Sequence, residues 1–205
     1  MLTGSELTTV LTIMGALALG AMVPGPSFVL VARTAASHGR GPGLRVACGL
    51  GLGAAVFGAA ALLGLVSLMV RAAWLGRAVR VAGGLYLVWL AIRLWRSSPG
   101  LPDGPGATTG RPLLSGLSTQ LANPKTAVVY AGVFAALLPD RVSPGCAVAV
   151  VAGVLVVELG WYALVASLLS TGRARTAYGA AARWVDRGAA AVIGLVGARL
   201  VAARS

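Results

Sequence analysis

Pro24-Gly25-Pro26-Ser27 falls inside an apolar stretch running from about residue 7 to 32, and Asn123-Pro124-Lys125 falls inside another from about 113 to 138. A proline within a helix lacks the N–H and presses on the carbonyl four residues earlier. Both segments are therefore expected to break their helices and to leave the carbonyls of Gly20, Met22 and Gln120 short of partners. In lipid such groups have to be satisfied by protein, water or ligand. The second break carries a further anomaly: Lys125 is the only lysine in a chain with 17 lysine and arginine residues. A lysine at bilayer depth costs on the order of 2.5–3.5 kcal/mol by insertion scales, so it faces a cavity, a partner or a substrate path.

Working outward from the two breaks, the composition is that of a membrane protein. Of 205 residues, 58% are hydrophobic and 11% charged, which does not describe a soluble core. Six apolar stretches can be drawn, at about 7–32, 44–70, 78–95, 113–138, 145–170 and 185–202. Most reach the approximately 20 residues that span about 30 Å of hydrocarbon. Arg77, Arg80, Asp186 and Arg187 crowd the starts of the third and sixth. The expected fold is an all-α integral membrane protein of about six transmembrane helices, residues 1–205 forming one transmembrane domain, with helices 1 and 4 broken at their proline motifs.

The net charge of +12 does not form one basic face interleaved with aromatics, so nucleic acid is not the expected partner. The arginines lie between the apolar stretches. Loops 33–45, 93–112 and 173–187 carry more of them than loops 71–80 and 139–144 and the C-terminus, which puts both termini outside by the positive-inside rule. The first stretch carries Glu6 and no basic residue at its start, unlike a signal peptide, and is expected to remain as a helix. Trp74, Trp89, Trp95 and Trp184 lie near stretch ends and read as interfacial anchors.

The polar segment 97–112 divides the chain into three-stretch halves, 1–96 and 113–205. Three is odd, so the halves insert with opposite orientation. Pro26 and Pro124 echo one another across the halves, and Cys48 and Cys146 share their offset. Paired breaks in two inverted three-helix repeats point to a midplane binding site in a secondary transporter. The bland alternative is that each proline merely kinks its helix.

Glu158 is the only acid deep within an apolar stretch. It is a candidate proton-coupling group together with Lys125, or a structural ion pair with it; the two readings are compatible. One acid and one base at the midplane suit a zwitterion. Lys125 and the helix restarting near Ser27 offer positive potential to a carboxylate, while freed carbonyls and Glu158 offer acceptors to an ammonium. Ser27, Gln120, Asn123 and Tyr130 supply hydrogen bonds, and Trp161 lines the cavity. Elsewhere the bland reading wins. Gly49-Leu50-Gly51-Leu52-Gly53 lets helices approach closely, Cys48 and Cys146 pack as small residues, and His38 is a surface histidine. No cofactor, metal cluster or enzyme chemistry is expected.

These motifs, with Gly39-Arg40-Gly41-Pro42-Gly43-Leu44, Gly83-Gly84-Leu85-Tyr86-Leu87-Val88-Trp89, Gly116-Leu117-Ser118-Thr119-Gln120-Leu121-Ala122 and Ala181-Ala182-Arg183-Trp184-Val185-Asp186, resemble LysE/RhtB-type amino-acid exporters in order and spacing. Glu158, Trp161 and Ala166-Ser167-Leu168 resemble the threonine-efflux branch most. The resemblance implies a multi-pass protein of the bacterial inner membrane, exporting small neutral amino acids by proton antiport, with roles for Pro24, Gly25, Pro26, Asn123, Pro124 and Lys125. Its partners would be the amino-acid substrate, protons and membrane lipid. Ser27 and Gln120 depart from the residues common at those places. A homo-oligomer is compatible with the sequence. The alternatives are an exporter of lysine, arginine or leucine, a thiol-redox electron carrier using Cys48 and Cys146, and a purely structural membrane subunit.

Overall fold

A computed structural model describes residues 2–71, 110–139 and 141–171, with scattered helical positions between 81 and 96 and between 184 and 198. Among the described residues there are six bounded helices and no strand: α1 Gly4–Met22, α2 Pro26–His38, α3 Arg40–Arg71, α4 Pro112–Leu121, α5 Pro124–Leu137 and α6 Pro144–Leu169. Most of the third and sixth apolar stretches, Trp74 and most of the linker 97–112 lie outside the described residues.

Proline placement explains the helix boundaries. Pro26, Pro112, Pro124 and Pro144 each open a helix in its first turn, where the missing N–H would have had no intrahelical partner. The breaks at 23–25 and 122–123 therefore stop one helix and restart another, and they are not kinks in a continuous helix. That corrects the expectation for two of the three orphan carbonyls. The Gly20 carbonyl accepts from Val23 N at 3.3 Å and the Gln120 carbonyl from Asn123 N at 3.2 Å. The expected loop 33–45 is also helical except at Gly39, because α2 continues burying Thr34 and Ala35 past the end of its apolar run. Gly39, at φ 86°, makes the turn into α3, a conformation open to glycine.

Caps fix the other starts. Thr3 and Glu6 form a reciprocal capping box on α1, and Ser143 accepts from Cys146 N at 3.1 Å on α6, an arrangement worth about 1 kcal/mol per cap. Ser143 also donates to Glu6 Oε1 at 2.5 Å, tying the two starts together.

The helices fall into two length classes. α1, residues Arg40–Gly64 of α3, and α6 are long and apolar enough to cross a membrane, at 19, 25 and 26 residues. At 1.5 Å per residue the shortest reaches about 28 Å. α2, α4 and α5 have 13, 10 and 14 residues, about half a membrane each. The chain is a multi-pass helical membrane protein.

Small residues let α3 lie directly on α4. A methyl built on Gly49 would meet the Leu113 carbonyl, one on Gly116 would meet the Val46 carbonyl, and one on Gly53 would lie 2.8 Å from Gln120 Cβ. Backbone faces backbone there, as the glycine spacing predicts. α6 packs along the other side of α3, with Gly51 against Leu159.

Two apolar cores result, at opposite ends of α6. One gathers Ile13 and Leu17 of α1, Val133 and Phe134 of α5, and Val150 and Val154 of α6. The other gathers Phe28 and Val31 of α2, Val46 and Leu50 of α3, and Tyr162 and Ala166 of α6. Along α6 the buried positions Cys146, Val150, Val154, Glu158, Tyr162 and Ala166 recur every four residues. Glu158 is the one charged residue in that stripe and falls where the cores meet. At the surface Trp89, Trp95 and Trp184 are exposed, and the Arg187 guanidinium lies 5.6 Å from the Trp95 ring and 5.9 Å from the Trp184 ring, a cation–π geometry.

Gly116→Val should lower the thermal midpoint of the detergent-purified chain, since backbone atoms cannot yield as a side chain can and overpacking costs about 1–3 kcal/mol. Gly160→Ala, where no heavy atom lies within 4 Å of an added methyl, should leave the midpoint unchanged or raise it slightly. Equal losses in the two variants would contradict the close α3–α4 contact.

Candidate functional site

The two breaks face each other, and polar side chains join them. Ser27, in the first turn of α2, donates from Oγ to Gln120 Oε1 at 2.5 Å and accepts from Asn123 Nδ2 at 3.0 Å. All three are buried, each at most 4% exposed, so these bonds meet needs that the apolar surroundings would leave unmet. Asn123 has a second task. Its Oδ1 accepts from Lys125 N at 3.0 Å, capping α5.

Lys125 reaches across to the other break. Its Nζ donates to the carbonyl of Val23, the C-cap residue of α1, at 2.5 Å. Gly25 leaves room for this crossing, because a methyl there would lie 3.3 Å from Lys125 Cδ and 3.7 Å from Nζ. The sequence pointed to Gly20, Met22 and Gln120 for acceptors. Val23 was missed because its carbonyl is set free by the restart of the chain and not by the proline ring.

Glu158 accepts at Oε1 from Tyr130 Oη, 2.9 Å away. Its Oε2 is buried with no hydrogen-bond partner among the described residues. Tyr130 is itself held by aromatic contacts, with Phe57 edge-on at 6.3 Å and Phe134 at 5.9 Å between ring centroids. These are ordinary separations for favourable ring pairs.

Lys125 and Glu158 line one small cavity together with Asn123, Thr126, Tyr130 and Tyr162. Its remaining wall is apolar: Leu17, Gly20, Ala21 and Val129. The cavity volume is about 20 Å³, room for about one water molecule, so its walls have to move apart to admit a larger solute.

The structure thus gathers Asn123, Lys125, Tyr130 and Glu158 at the cavity. Ser27 and Gln120 stand behind it, bonded to one another. Pro24 and Gly25 form the first break, while Pro26 and Pro124 open the restarted helices. Trp161 does not line the cavity but packs with the α2–α3 core, its buried Nε1 without a partner among the described residues. Tyr162 and Thr126 were missed by sequence reasoning. Each lies four residues from a site residue, Glu158 and Tyr130 respectively, and helical spacing puts such pairs on one face.

Cys48 is exposed on α3 and Cys146 buried near the start of α6, both as free thiols. No cluster of metal-ligating side chains occurs among the described residues.

Comparison with known proteins matches the sequence to one family. The sequence profile of the LysE type translocators covers residues 18–204. The threonine efflux protein of Escherichia coli K12 is 34% identical over 190 residues, covering 89% of this chain and 92% of that protein. The threonine efflux protein of Salmonella typhi is 33% identical over the same shares. The leucine efflux protein of Klebsiella pneumoniae is 28% identical over 180 residues, 85% of this chain and 84% of that protein. No solved structure matches the chain. On these matches the chain, with its broken helices around a small cavity, belongs to the LysE type translocator family and is a transporter, not an enzyme.

Proposed function

We propose that the chain exports small neutral amino acids, threonine- or homoserine-like, across the bacterial inner membrane in exchange for protons. The observation that carries this reading is the pairing of Lys125 and Glu158 on one small cavity between two apolar cores. The relatives named for threonine efflux point the same way. The site residues are Pro24, Gly25, Pro26, Ser27, Gln120, Asn123, Pro124, Lys125, Tyr130 and Trp161, with Glu158 and Lys125 coupling protons. Within this set Ser27, Gln120 and Trp161 act from behind the cavity wall.

The substrate carboxylate faces Lys125 and the positive end of the α5 dipole. The ammonium faces Glu158 Oε2, the acceptor left open by the Tyr130 hydrogen bond. Thr126 and Asn123 meet a side-chain hydroxyl. A zwitterion adds no net charge to the site once the walls part to admit it, whereas a dibasic substrate brings a second cation for which the cavity wall offers no second acid. Glu158 is the group that takes up a proton on one side and releases it on the other.

The architecture supports two inverted repeats, residues 1–96 and 113–205, as the frame of this cycle. Each half opens on a broken helix, α1–α2 or α4–α5, followed by one long helix, α3 or α6. Paired broken helices in two inverted repeats are the arrangement that puts a transporter's binding site where the repeats meet.

A second reading, export of a branched apolar amino acid, draws on the apolar wall of Leu17, Ala21 and Val129 and on the relative named for leucine efflux. Competition separates the two. Excess unlabelled threonine should suppress efflux of labelled threonine more strongly than leucine does, and lysine should not compete. The reverse order for leucine would favour the second reading.

The test of the main reading is efflux of labelled threonine from preloaded proteoliposomes, with and without a proton gradient. A gradient should accelerate efflux by the native chain. Glu158→Gln should lose the gradient-driven component while keeping substrate exchange. Equal loss of both activities in a folded variant would argue for a structural Glu158. Native chain that moves neither threonine nor any other amino acid would end the exporter reading.

A further inference from the structure

We propose that the Lys125 ammonium is the resident cation of the α1 break, doing permanently what a sodium ion does at the broken helix of a sodium-coupled carrier. The C-terminal end of a helix carries a partial negative charge and unpaired carbonyls, and carriers with discontinuous helices bind sodium at such ends. α1 ends at Met22, has no basic residue in its last turn and presents the Val23 carbonyl just beyond it. Val23 is buried, 1% exposed, so that carbonyl needs a protein or ion partner. The partner is the Nζ of Lys125, supplied by the other half of the chain.

The surroundings are built for this contact. Asn123 fixes the backbone from which Lys125 springs. Gly25, with no side chain, clears the path of the stem. Lys125 and Glu158 line one small cavity, so removing the ammonium would leave the Val23 carbonyl without its partner and the carboxylate without the cation that shares its cavity, a loss that a small monovalent cation can make good. Two consequences follow. The native chain has no use for sodium, and a chain lacking the Lys125 charge gains a site for a free cation such as sodium or methylammonium. Lys125 is on this account a positioning residue for the α1 break as well as a charge facing the substrate.

The inference rests on the exporter reading only for its transport measurement. The test compares native chain, Lys125→Ala and Lys125→Arg in choline, sodium and methylammonium chloride. Two quantities are read: the thermal midpoint of the purified chain, and threonine efflux from proteoliposomes. In choline, Lys125→Ala should lose about tenfold to a hundredfold of its efflux, the range expected for one charge-assisted hydrogen bond. Sodium or methylammonium should restore several-fold of that loss and raise the variant's midpoint. Native chain and Lys125→Arg should not respond.

A Lys125→Ala midpoint that ignores both cations, or a native chain that requires sodium, overturns the proposal. If Lys125→Ala folds in none of the three salts, Lys125→Met keeps the stem and drops the charge. It must then gain a sodium-dependent midpoint that Lys125→Arg lacks, and equal behaviour of the two overturns the proposal. If the native chain moves no amino acid, the exporter reading fails while the midpoints still decide the question of the cation.

Discussion

A helix that stops inside hydrocarbon exposes polar backbone ends, and no lipid can satisfy them. Each break in this chain is closed by side chains from the other. Lys125, beyond the second break, takes the Val23 carbonyl at the first. Ser27, beyond the first, is bonded to Gln120 and Asn123 at the second. Each break is satisfied in part by its own half and completed by the other, so the two halves stabilise one another where they meet. The elements around the cavity inherit their positions from that mutual closure. α5 starts where its Asn123 cap is held, and Tyr130 on α5 delivers its hydroxyl to Glu158 on α6.

The cavity differs from an ordinary packing defect in the way its polar groups are shared. Most polar side chains near it are already engaged with each other. Glu158 Oε2 stands apart, buried and with no hydrogen-bond partner among the described residues. The hydrogen bond at Glu158 comes from Tyr130, and Lys125 bonds the backbone of α1. Acid and base thus line the same small cavity with different hydrogen-bond partners.

Much of this was legible in the sequence. The apolar stretches, the breaks at Pro24-Gly25-Pro26 and Asn123-Pro124, the glycine run that seats α3 on another helix, and the depth of Glu158 all follow from composition and spacing. The rest depended on what a chain does at a proline. A local reading sees a ring clashing with a carbonyl four residues back, whereas the chain restarts a helix and shifts the open acceptor to Val23. Nothing local reveals that Ser27 finds Gln120, 93 residues away. The same limit explains Trp161. Its nearness to Glu158 in sequence suggested the cavity, but tertiary packing put it with the α2–α3 core and gave the cavity Tyr162.

The contact between α3 and α4 has a mechanical side. Where backbone rests on backbone at Gly49 and Gly116, no flexible side chains lie between the helices to rearrange as one slides past the other. α3 and α4 therefore behave as a single strut built from both halves of the chain. The elements left with room to shift are those on either side of the breaks, α1, α2 and α5. A transporter framed in this way concentrates its deformation in a few residues around Gly25 and Asn123, and a foreign side chain at either place would act on the hinge before it acted on the cargo.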